Sequence, residues 1–62
     1  MISQNLKELR KMYNLSQKQL GEKLGYSART ISDWESGNTE PNIQTIKLIC
    51  KLFNLSYEEL LD

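Results

Sequence analysis

Apolar residues recur along this chain at intervals of three and four, the spacing that lines one face of a helix. Leu6, Leu9 and Tyr13 form the first such stripe. The pattern predicts a helix that follows a Ser3 cap and ends near Tyr13-Asn14. Leu20 and Leu24 mark a second helix, Ile31 and Trp34 a third, and Ile43, Ile46, Ile49, Cys50 and Phe53 a fourth that starts from Asn42. Leu60 and Leu61 close a short fifth helix and are expected to complete the core. No segment alternates in the manner of a strand, and no repeat, low-complexity tract or linker stands out. The chain therefore reads as an all-α domain of five short helices spanning residues 1–62.

Capping residues sharpen the boundaries of the second and third helices. Ser16 followed by Gln19 is a capping box, in which hydroxyl and amide satisfy backbone N–H groups that have no partner within the helix. Gly25 follows the last apolar residue of that helix, where a left-handed C′ conformation costs glycine little, and Ser27 can cap the next one. A connection that short forces a steep crossing, and Gly21 lets the two helices approach closely. Ser56 and Glu59 make another capping box, while Gly37-Asn38-Thr39-Glu40-Pro41 is a turn by composition.

The residues from 16 to 36 resemble the helix-turn-helix of the phage repressor and Cro family, also called XRE-like. The likeness rests on Gln17, Leu20-Gly21, Leu24-Gly25, Ile31, Trp34-Glu35 and Gly37. It extends to Leu6, Leu9 and Arg10 before the unit and to Pro41-Asn42, Leu55-Ser56 and Glu59-Leu60-Leu61 after it. Gly21 stands where alanine is common in the family, and Asp33 and Glu40 put acid near the expected DNA face. The resemblance implies a lambda-repressor-like fold and a sequence-specific transcriptional regulator that inserts helix 27–36 into the major groove of double-stranded DNA. It also implies a partly buried ion pair between Arg10 and Glu35.

With Ile31 and Trp34 inward, the third helix turns Ala28, Arg29, Ser32, Asp33 and Ser36 outward, behind Ser27 at its leading end. The candidate base contacts are Ser27, Ala28, Arg29, Ser32 and Asp33. Arg29 has the planar fork that fits guanine O6 and N7, and Ala28 suits a thymine methyl group. Asp33 is read as holding Arg29 from the next turn, with acceptance from a cytosine amine as its other role. The candidate phosphate contacts are Gln17, Lys18, Ser36, Asn38, Thr39 and Asn42, several of them at helix starts whose free amides attract anions.

Charge and composition qualify this picture. The chain has 62 residues and a formal net charge of zero, which is weak for a DNA binder. Residues 1–32, however, carry Lys7, Arg10, Lys11, Lys18, Lys23 and Arg29 against Glu8 and Glu22, whereas residues 33–62 carry six acids against Lys47 and Lys51. One cysteine and no histidine exclude an internal disulfide and a zinc site, and Cys50 reads as a buried reduced thiol. No cofactor or metal is expected, and no catalytic constellation is present, so the chain does not read as an enzyme. Without a spanning segment or a signal-peptide core it reads as cytoplasmic.

A domain this small reads few base pairs, so a homodimer on two half-sites is expected. Phe53, Leu55, Tyr57, Leu60 and Leu61 are the candidate dimer surface. The chain reads equally as a complete small regulator or as the N-terminal piece of a longer one. The alternative function is a protein-interaction or antitoxin-type adaptor on the same fold. Salt separates the two, since DNA binding weakens as salt rises and an apolar contact hardly responds.

Overall fold

The computed structural model describes residues 2–62. Its helices are α1 (Ile2–Met12), α2 (Gln17–Leu24), α3 (Ala28–Ser36), α4 (Ile43–Phe53) and α5 (Tyr57–Leu61), with no strand among the described residues. Apart from Tyr13, Ile43 and Leu61, the stripes read from the sequence turn inward to one core of Leu6, Leu20, Leu24, Ile31, Trp34, Ile46, Ile49, Phe53 and Leu60. Each of those larger aliphatic side chains contributes roughly 1.5–3 kcal/mol on leaving water, which is the main force holding helices too short to persist alone.

The α2–α3 turn is built as its residues dictate. Ser16 Oγ accepts from the Gln19 N–H while Gln19 Oε1 accepts from the Ser16 N–H, and Gly25 closes α2 at φ 86°. Gly21 permits a close approach, although its neighbour is the turn itself rather than the body of α3. A β-carbon there would lie 2.3 Å from the Tyr26 carbonyl oxygen. Tyr26 sets its ring edge on Trp34, with centroids 4.8 Å apart, and pairs its hydroxyl with Thr45 Oγ1 at 2.8 Å. The turn is thereby tied to both α3 and α4.

Contrary to the sequence reading, the chain does carry a short repeat. Lys-Met-Tyr-Asn-Leu-Ser at 11–16 and Lys-Leu-Phe-Asn-Leu-Ser at 51–56 build the same junction. Asn14 and Asn54 are left-handed at φ 57° and 54°. The Leu15 N–H donates to the Arg10 carbonyl and the Leu55 N–H to the Cys50 carbonyl, each at 3.0 Å, the longer bond of a Schellman closure. Ser16 and Ser56 then cap the helices that follow, and the equivalent rings of Tyr13 and Phe53 pack at 4.8 Å. The similarity is easily missed because it lies in helix ends, where apolar periodicity is silent.

Other positions depart from expectation. Ser3 lies inside α1 rather than capping it, because Ile2 packs on the core and draws the first turn into the helix. The helix ends at the Tyr13-Asn14 turn as expected, closed by left-handed Asn14, but Tyr13 itself remains half exposed. Ile43 is 68% exposed at the first turn of α4, and Leu61 is also exposed, so Leu60 alone of the final pair closes the core. Cys50 is only partly buried against that core. Phe53 and Leu60 are interior, and of the candidate dimer surface Tyr57 and Leu61 present the apolar area.

Candidate nucleic-acid interface

Helices α2, α3 and α4 begin in the same way, with an extended-backbone residue whose side chain accepts the third N–H. Ser16, Ser27 and Asn42 take the amides of Gln19, Thr30 and Thr45 respectively. The fourth amide of each helix donates to the cap carbonyl. The first two amides of each, at Gln17 and Lys18, Ala28 and Arg29, and Ile43 and Gln44, have no protein acceptor among the described residues. Such amides, with the partial positive charge of the helix end, suit an anion. Helix α5 begins alike, but Glu58 and Glu59 occupy its first turn and would repel one.

Along α3 the buried positions are Ile31 and Trp34, which leaves a face centred on Arg29 and Ser36. Arg29 has 86% of its side chain in solvent, with Nε 3.7 Å from Asp33 Oδ1. Ser36 is exposed and donates its hydroxyl to the Asp33 carbonyl. Ala28, Ser32 and Asp33 are half-buried rather than fully outward, so the free crest of the helix is narrower than the helical wheel suggests. Ser27 Oγ is engaged as the cap and pairs with Thr30 Oγ1 at 3.1 Å.

The flanks are fixed by different means. Asn38 and Thr39 are exposed, but their amides both donate to the Asp33 carbonyl, so only their side chains remain for another molecule. Asn42 spends its carbonyl oxygen on the Thr45 amide, and its side-chain NH2 has no partner among the described residues. Lys18 is exposed and makes no ion pair among the described residues. Gln17 is half-buried and donates from Nε2 to Glu35 Oε1 at 3.2 Å.

Glu35 joins three helices. Arg10 donates to it from Nε at 2.6 Å and from Nη2 at 3.1 Å, and from Nη1 to the Leu15 carbonyl at 2.7 Å. Only 11% of the Arg10 side chain and 4% of the Glu35 side chain are exposed. The two-pronged pair resolves the guanidinium against the carboxylate, and Gln17 takes a further lone pair. The Gln17–Glu35 bond, the Tyr26–Thr45 pair and the bond from Asn5 Nδ2 to the Leu60 carbonyl were not visible in the sequence reading. Each joins residues distant along the chain, and no local pattern announces them.

No group of His, Cys, Asp or Glu among the described residues could hold a metal ion, and no described helix is long and apolar enough to cross a membrane.

The chain matches the family described as Helix-turn-helix over residues 6–60. It is 44% identical over 60 residues to the helix-turn-helix-type transcriptional activator BcrR of Enterococcus faecalis, and 35% identical over 60 residues to the antitoxin PezA of Streptococcus pneumoniae. Each alignment covers 97% of this chain, which spans 29% of the length of the activator and 38% of that of the antitoxin. The P22 c2 repressor protein, solved with a synthetic operator, superposes with a TM-score of 0.88 at 30% identity, covering 97% of this chain and 91% of the repressor chain.

Proposed function

This chain belongs to the helix-turn-helix family, in its repressor/Cro branch, and we propose that it regulates transcription by laying α3 in the major groove of an operator half-site. Its family and fold are those of DNA-binding regulators and not of enzymes. The observation that carries the proposed docking is the exposed crest of α3 at Arg29, whose side chain is 86% in solvent; the capped helix starts of α2 and α4 supply further anion-binding amides. Base contacts fall to Arg29, with Ser27, Ala28 and Ser32 beside it and Asp33 steering the guanidinium. Phosphate contacts fall to Gln17, Lys18, Ser36, Asn38, Thr39 and Asn42. Neutral donors at helix ends dominate that set, which reconciles phosphate binding with zero net charge.

Two copies bind two half-sites about one helical turn apart. Tyr57 and Leu61 supply the exposed apolar area for their contact. A cytoplasmic location is part of this proposal, in keeping with a regulator that reads DNA and with no described helix able to cross a membrane. An adaptor function remains the second reading, favoured by the likeness to an antitoxin.

Selection from a randomised duplex pool at low salt tests the proposal. Two enriched half-sites are expected, and Arg29→Ala should relax one base pair at a cost of about 1–3 kcal/mol. An Arg29→Ala protein that selects the same sequences as its parent would remove α3 from the groove.

A further inference from the structure

We propose that Glu35 is a positioning residue for phosphate binding: through its bond to Gln17 it fixes which edge of that amide faces the DNA backbone. The inference rests on the docking proposed above, in which Gln17 meets a phosphate at the start of α2.

An ionised carboxylate can only accept hydrogen bonds, and a glutamine amide has two N–H donors on one side and a carbonyl acceptor on the other. Glu35 Oε1 takes Arg10 Nη2 at 3.1 Å and Gln17 Nε2 at 3.2 Å, while Oε2 takes Arg10 Nε at 2.6 Å. Turning the Gln17 amide over would set its carbonyl oxygen against that carboxylate. The NH2 group therefore stays on Glu35, and one of its two N–H groups remains to donate. A phosphate oxygen needs such a donor and would be repelled by the carbonyl.

Arg10 makes the arrangement compatible with DNA. Glu35 alone would hold a negative charge one side chain away from the phosphate. Arg10, with two bonds to it, neutralises the pair and is itself tethered to the Leu15 carbonyl. A pair that touches no DNA thus sets both the orientation of the donor and the charge behind it. The Gln17 amide reaches the phosphate already ordered, so less freedom is lost on binding.

The test is a double-mutant cycle on affinity for a selected operator, with Glu35→Gln chosen because it keeps the shape and loses the obligatory acceptor. Gln17→Ala is expected to weaken all duplexes about tenfold, the loss of one charge-assisted bond. Glu35→Gln should weaken binding about threefold when Gln17 is present and leave it unchanged when Gln17 is alanine. Equal losses in both backgrounds would show a merely structural role and overturn the proposal. So would an unchanged affinity in Gln17→Ala, whereas an operator that the parent protein fails to bind would instead overturn the docking. Should Glu35→Gln fail to fold, the side-chain amide protons of Gln17 in the parent protein decide the matter. Slowed exchange of one of them, free and DNA-bound, supports the proposal, and exchange as fast as that of the exposed Gln44 overturns it.

Discussion

A β-carbon on Gly21 would meet the Tyr26 carbonyl oxygen at 2.3 Å and the Tyr26 and Ser27 carbonyl carbons at 3.2 and 3.3 Å, all of them backbone. No flexible side chain is there to swing aside. Gly21→Ala gains about 1 kcal/mol of helix propensity yet forces the turn to move, and a net loss of about 1–3 kcal/mol is expected in urea denaturation. Unchanged or higher stability would mean the turn relaxes freely. Cys50 offers a chemical probe of α4. Partial burial, and then the charges of Glu58 and Glu59, push its thiol above the ordinary value of 9.0. Since the thiolate is the nucleophile, the folded protein should alkylate more slowly at pH 8 than the same chain in urea, and equal rates would count against that environment. Local chemistry of this kind was readable in advance at Gly21, Gly25, Ser16, Ser27 and Ser56. Tyr26 and Asn5 were not, because their partners lie 19 and 55 residues away and only the assembled fold brings them together.

Among the elements, the two repeated junctions provide an internal control. Both start a helix with a capping box, but α2 closes its box with Gln19 and α5 with Glu59. The Ser56 N–H donates to the Glu59 carboxylate at 2.8 Å, and this bond, with that from the Ser56 side chain, holds the carboxyl below its ordinary value of 4.5. A depressed value in the folded chain means a stabilising contribution fully present above pH 4.5 and lost as pH falls through the folded value. Amide-exchange protection in α5 should therefore fall on acidification below that point while α2 holds, and Glu59→Gln should remove the difference. Parallel behaviour of the two helices would exclude the carboxylate as the cause. The Arg10–Glu35 pair makes the opposite kind of prediction. Arg10→Met strands a buried carboxylate and should cost on the order of 3 kcal/mol, whereas Arg10→Met with Glu35→Leu should recover most of it. Thermal melts of the single and double variants check this. Helix number and type were legible from periodicity, and the ends of α2 and α3 from their caps. The start of α1 was not, because packing of Ile2 overrode the serine that would have capped it.

For the whole molecule, the sequence showed a charge division that net charge conceals, and the fold shows what it means at helix starts. The opening turn of α2 holds Gln17 and Lys18, and the equivalent turn of α5 holds Glu58 and Glu59. Identical local geometry thus carries opposite electrostatics, and only the first invites a phosphate. The proposed phosphate set contains one cation, Lys18, and its remaining members are neutral amides and hydroxyls. Counterion release follows the cations that displace ions from the duplex, so each domain should show a slope of log affinity against log salt of about −1 to −2. A basic domain of this size, with many phosphate-bound lysines, would show a far steeper one. Lys18→Ala should make the slope shallower by about 1, while Gln17→Ala should lower affinity at every salt concentration and leave the slope alone. A slope of zero at all salt concentrations would favour the adaptor reading, because an apolar partner contact releases no counterions. A steep slope that survives Lys18→Ala would move the phosphate surface to Lys7 and Lys11 on α1, and with it the face that this domain presents to DNA.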